Sequence, residues 1–152
     1  RDSGTTGSLV GHLKDKSNIF WATATAAPCT SLFKPVWFGD KVLPDLGPSP
    51  KGRFNAKSYW WNHERFHRTI LQDFSLMSSF EEERDLEEGK LIKHAYRCGE
   101  KDAFKCTDEA FQSAKRLTKK WLSSILSNPI KSSNGFLFNR YWQQQNRKAN
   151  LV

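Results

Sequence analysis

Residues 21–38 read Trp21-Ala22-Thr23-Ala24-Thr25-Ala26-Ala27-Pro28-Cys29-Thr30-Ser31-Leu32-Phe33-Lys34-Pro35-Val36-Trp37-Phe38. Two β-type runs, Asn18 to Thr25 and Ser31 to Phe38, flank a corner of small residues that holds Pro28, Cys29, Thr30 and Ser31. The pattern predicts two strands meeting at a tight bend. Small hydroxyls and a thiol at such a bend suit the lining of a hydrolase site. They suit any cramped turn equally well.

Working outward, Ser8 to Leu13 reads as a further short strand and Lys14 to Ser17 as a polar turn. Residues 1–38 are therefore expected to supply sheet-completing strands. Residues 39–57 form a connector broken by Gly39, Pro44, Gly47, Pro48, Pro50 and Gly52. Its length predicts that it wraps over a surface belonging to the rest of the protein.

From Ser58 the period changes. Tyr59, His63, Phe66, Ile70, Phe74 and Met77 recur at steps of three and four, one face of a long helix with Ser58 as N-cap. The helix is expected to continue or restart through Glu81–Glu88 and on to Tyr96, with Gly99 as its stop. A second helix is predicted from Thr107, with Ala110, Ala114, Leu117, Trp121 and Ile125 as its buried stripe and Asn128-Pro129 as its end. Gly135 opens an aromatic segment that runs into a polar tail. Residues 58–152 form a helical region. Strands first and helices after predict an α+β fold within one domain. Three strands make a poor sheet alone, so further strands are expected from upstream sequence.

Composition narrows the function classes. The chain of 152 residues has the size of one domain and carries bulky apolar material, six Trp and eleven Phe. No apolar run approaches the length of a membrane span. The first residues hold neither an apolar core nor an initiator Met, so no signal peptide is expected and the chain reads as a piece of something longer. The net charge of +8 comes with no recognition motif, which argues for a solvated basic face and against a nucleic-acid partner. Three cysteines, Cys29, Cys98 and Cys106, form an odd set that points to free thiols in a reducing, cytoplasmic setting.

The sequence holds two patterns that resemble metal sites. His63-Glu64-Arg65-Phe66-His67 matches His-Glu-x-x-His, in which two histidines hold zinc and the Glu activates water. Arg65 and Arg68 put cations where a dication would sit. The expectation is instead that His63 packs beside Phe66 and Glu64 pairs with Arg68. His94, Cys98 and Cys106 lack the close ligand pairs of zinc sites, and only the first two stand one helical turn apart. No metal or other cofactor is expected.

Two segments then carry a resemblance. The run from Trp21 to Trp37 resembles a late segment of the secernin and dipeptidase A family of cysteine hydrolases. Tyr59-Trp60-Trp61-Asn62-His63-Glu64-Arg65-Phe66-His67-Arg68 is similar to that family's next landmark, and Arg140-Tyr141-Trp142-Gln143-Gln144-Gln145-Asn146-Arg147 is similar to its ending.

The resemblance implies an N-terminal nucleophile (Ntn) hydrolase, an αββα sandwich that cleaves dipeptides, of which this chain is the C-terminal portion. In that family the cysteine at the first residue of the mature chain attacks the carbonyl and its own α-amine is the base. This chain begins with Arg1 and has no cysteine near its start. The nucleophile is therefore expected in an upstream domain of the same protein, and the isolated chain is expected to be inactive. Thr30, Ser31 and Lys34 are the substrate-pocket candidates, Lys34 either orienting a peptide carboxylate or snorkelling from an edge strand. Cys29, with Thr30, Ser31 and His12 near it in sequence, is the alternative nucleophile. It is more simply read as a small buried residue. A non-catalytic secernin-like protein linked with exocytosis and a zinc peptidase built on His63 and His67 are the other readings.

Overall fold

The computed structural model describes residues 5–13, 18–39, 43–98 and 100–151. Three short strands, β1 (Leu9–His12), β2 (Ile19–Ala22) and β3 (Lys34–Val36), form an antiparallel sheet in the order β1-β2-β3. Four helices follow: α1 (Tyr59–Ile70), α2 (Glu81–Ala95), α3 (Ala103–Leu126) and α4 (Phe136–Ala149). The α+β class is as the order of patterns predicts. The turn expected at Lys14–Ser17 and the stop expected at Gly99 lie outside the described residues.

Register aligns Trp21 with Val10 on one side and with Pro35 on the other. Pro35 lacks a ladder donor and stands on the outer strand β3, where that lack is tolerated. β2 alternates, burying Ile19 and Trp21 and half-burying Phe20 and Ala22. β3 buries all three of its residues against α2 and α3. β1 is the opposite edge, and its Leu9 and Val10 face solvent.

The main core is aromatic. Phe66 of α1, Phe80 before α2 and Trp121 of α3 meet pairwise at centroid distances of 5.0, 6.0 and 5.1 Å. Leu32, Ile70, Ala114, Leu117 and Ile125 close around them. Trp121 would strand its indole N–H in this core, but that group donates to Glu83 Oε2 at 2.8 Å and so ties α3 to α2. A second cluster, Ile19, Trp21, Trp37, Ala95 and Cys106, joins the sheet to the end of α2 and the start of α3.

The structure departs from the sequence pattern at several joints. The stripe from Tyr59 to Met77 is not one helix. α1 ends at Ile70, Asp73 then accepts the Ser75 N–H at 3.0 Å, and a 3₁₀ helix (Phe74–Ser79) carries the chain to α2. Ser58 occupies the N-cap position of α1 without capping it; its Oγ is buried and has no partner among the described residues. α3 begins at Ala103, one turn before Thr107, because Ala103 and Cys106 pack onto the second cluster. That packing outweighs the capping preference of Thr107, which lies buried inside the helix.

The connector packs on this chain's own helices. Tyr59 N–H donates to Leu46 O at 2.9 Å, Trp61 Nε1 to Lys51 O at 3.0 Å, and Phe54 N–H to Ala149 O at 2.7 Å. Gly47, at a φ of 73°, makes the close approach possible: a Cβ there would lie 1.9 Å from Lys57 O. The aromatic tail segment winds into α4. It ends in a Schellman turn on left-handed Asn150, with Leu151 N–H on Asn146 O at 3.0 Å.

Phe66 is fully enclosed and touches both other rings of the core. Phe66→Ala is expected to lower the unfolding free energy by about 3–5 kcal/mol, read as a fall in the urea midpoint. A loss below ~1 kcal/mol would show that the three rings do not form the core of the fold.

Candidate functional site

The corner between β2 and β3 is built from buried hydroxyls. Thr23, Thr25, Thr30 and Ser31 are all inside. Thr25 Oγ1 donates to Ser31 Oγ at 2.8 Å, and Thr30 Oγ1 donates to Ala27 O at 2.9 Å. Thr30 Oγ1 also pairs with His63 Nε2 at 3.1 Å. Ala24 and Ala27 hold positive φ values of 53° and 50°, an unusual backbone for residues with a Cβ. The bend is strained and held by its hydrogen bonds.

Lys34 is completely enclosed at this corner. Its ammonium donates to Leu32 O at 2.7 Å and to Thr23 O, and lies 5.5 Å from the Tyr59 ring centroid and 5.2 Å from that of Phe111. It does not snorkel. Burial pushes its pKa down to about 7, with Glu88 opposing the shift. Glu88 itself accepts the Phe33 N–H at 2.8 Å, binding β3 to α2.

His63 is buried beside Phe66 at a centroid distance of 5.8 Å. Burial, with the Lys34 and His67 charges adding to it, lowers its pKa to about 3, so the ring is neutral at physiological pH. Glu64 pairs with Arg68 at 2.8 Å and with His67 at 3.1 Å. Burial favours its protonated form, but the hydrogen bonds from His67 and Arg68 outweigh that and hold its carboxyl below the usual range. Arg68 is packed between Trp61 and Trp142, 5.5 and 5.3 Å from their centroids, and reaches Asn146 Oδ1 at 3.1 Å. The helix-motif histidines thus serve different partners: His63 turns to the corner and His67 to Glu64. In the acidic run, Glu83 is held by Lys120 and Trp121, Glu87 by Ser113 and Lys90, and Glu88 by Phe33.

Cys29 is exposed, contrary to its reading as a small buried residue, and its carbonyl accepts from Arg84. His12 is paired through Nδ1 with the Tyr96 hydroxyl. No hydrogen bond links the imidazole of His12 to Cys29 among the described residues. The structure brings Thr30, Ser31, Lys34 and His63 together and leaves Cys29 and His67 outside that group. Sequence reasoning missed Tyr59 and Phe111, whose rings face Lys34 from two helices.

Next to the corner lies a groove of about 670 Å³ between the connector, α1 and α3. Tyr59, His63 and Phe111 form part of its wall, and Lys57, Arg65, Lys115 and Lys119 line it with positive charge. Comparison with protein-family models, curated proteins and solved structures finds no match for the chain. Among the described residues, no helix is long and apolar enough to cross a membrane.

The buried lysine has a measurable signature. Unfolded, Lys34 keeps its proton to about pH 10; folded, it releases it near 7. The unfolded chain therefore binds more protons between these values, and stability climbs as pH rises. Cys106 and Tyr59, both pushed upward by burial, turn the slope back only near and above their unfolded values. Between pH 7 and 9 the unfolding free energy should rise by roughly 1–3 kcal/mol, and Lys34→Met should flatten that rise. A wild-type profile already flat over this range would overturn the assignment.

Proposed function

We propose that this chain is the C-terminal portion of a cysteine-type Ntn hydrolase acting on dipeptides, with the nucleophile on an upstream segment of the same protein. One observation carries the reading: the three stretches that resemble the secernin and dipeptidase A family meet in space. The corner touches the helix motif through Thr30 and His63, and the helix motif touches the ending through Arg68, Trp142 and Asn146.

Two features support it further. The β1 edge, with exposed Leu9 and Val10, pairs on one side only among the described residues and offers apolar surface on which a sheet can be continued. The cationic groove suits the free carboxylate of a dipeptide, and its wall rests on the corner. In this reading Lys34, Thr30 and Ser31 set the shape of the corner behind the pocket, while attack belongs to the upstream cysteine and its α-amine.

A second reading, a non-catalytic interaction protein of secernin type, is favoured by α4, where Phe136 and Leu137 stand exposed at the start of a helix held through Trp142, Asn146 and Ala149.

The test uses the full-length protein. Turnover of unblocked dipeptides is expected, and it should vanish when the cysteine at the mature N-terminus is changed to Ala. The 152-residue chain alone should show none. Absence of any upstream cysteine able to become an N-terminus, or hydrolysis by the isolated chain, would refute the proposal. An intact nucleophile without turnover would favour the interaction reading.

A further inference from the structure

His94 stands in the last turn of α2, Cys98 follows that helix, and Cys106 and Glu109 lie three residues apart in the first turns of α3. Cys98 N–H donates to His94 O at 3.0 Å, which continues the helical path and puts the thiol on the imidazole's face. The ligand atoms of His94, Cys98 and Cys106 all lie within 4.8 Å of one another. Cys98 Sγ is 3.6 Å from His94 Nε2, and Glu109 Oε2 is 3.3 Å from the same nitrogen.

The two separations at His94 Nε2 match edges of a metal tetrahedron. Zinc bonds of about 2.3 Å to sulfur and about 2.0–2.1 Å to nitrogen or oxygen give edges of about 3.6 Å between sulfur and nitrogen and about 3.3 Å between nitrogen and oxygen. One ring nitrogen facing both a thiol and a carboxylate has more acceptors than a single N–H can serve. A cation among them serves all.

We propose that His94, Cys98, Cys106 and Glu109 form a zinc(II) site that clamps the end of α2 to the start of α3. Two sulfurs select a thiophilic d-block cation over magnesium or calcium. Cys106 is the buried floor, while His94 and Glu109 are half-exposed and leave an entry from solvent. His94, Cys98 and Cys106 stand together, and Glu109, beside His94, closes in as the fourth ligand on binding, which makes the site a structural one. Binding releases the two thiol protons to solvent. Lys105 approaches the site as well, its Nζ 4.0 Å from Glu109 Oε1. The site stands apart from the corner and does not depend on the dipeptidase reading.

The purified, reduced protein should take up one equivalent of cobalt(II), with the visible bands of a tetrahedral ion and a thiolate charge-transfer band, and zinc(II) should displace it. Cys98→Ser and His94→Ala should each weaken binding roughly tenfold or more, and Cys29→Ser should leave it unchanged. His94 is exposed, so His94→Ala keeps the fold, and zinc should raise the melting temperature of the wild type but not of this variant. No thiolate band in the reduced wild type, a band that survives both Cys98→Ser and His94→Ala, or a Cys98–Cys106 disulfide in freshly isolated protein would overturn the proposal.

Discussion

The fold depends on where the Lys34 ammonium can go. An unpaired charge in a protein interior is among the costliest arrangements available, so its partners must be in place before the corner can close. Thr23 O belongs to the end of β2, and Leu32 O to the approach to β3. Tyr59 and Phe111 bring the first turn of α1 and the middle of α3 against the same group. One side chain thereby fixes the angle between two strands and the distance of two helices from them. The positive φ at Ala24 and Ala27 is the conformational cost of that closure, and the hydroxyl bonds among Thr23, Thr25 and Ser31, with that of Thr30 to Ala27 O, offset it.

α3 turns this local constraint into a fold. Its stripe runs through Cys106, Ala110, Ala114, Leu117, Trp121 and Ile125 and is buried along its whole length. The first part of that stripe meets the sheet and the end of α2, and the last part meets Phe66 and Phe80. Phe111 stands between the two and covers Lys34. The aromatic core and the sheet cluster therefore share one rigid beam, and Glu83 beneath Trp121 and Glu87 on Ser113 attach α2 to it at two heights. α4 is held differently, by the planar Arg68 between two indoles, a job that the point charge of a lysine could not do.

What the sequence revealed follows from the range of each interaction. The α3 stripe repeats often enough to be read with its end, and the Glu64–Arg68 pair is local, so both were legible. The break after Ile70 was hidden because Phe74 and Met77 stay in phase with α1, while the turn that interrupts them comes from an Asp73 carboxylate bonding two residues on. Thr107 looked like a cap because capping is local, and the packing of Cys106 that extends the helix past it is not. Lys34 between Phe33 and Pro35 reads as an edge-strand residue. Only the arrival of rings from residues 59 and 111 makes it interior. The corner was found, but its role as a closed, internally bonded knot was not.

The same reasoning explains why spacing alone gives little weight to His94, Cys98 and Cys106 as ligands and does not reach Glu109 at all. Spacing rules describe ligand pairs presented by one hairpin or one helix. Here each pair is presented by a separate helical segment, four residues apart on one and three on the other, and the joint between α2 and α3 brings the pairs together. That joint is set by Ala95 and Cys106 packing under Trp21 and Trp37, the cluster whose strands are positioned by Lys34. The strained corner and the thiol–imidazole group are thus opposite ends of one packing unit, one closed by a buried ammonium and the other shaped to close on a metal.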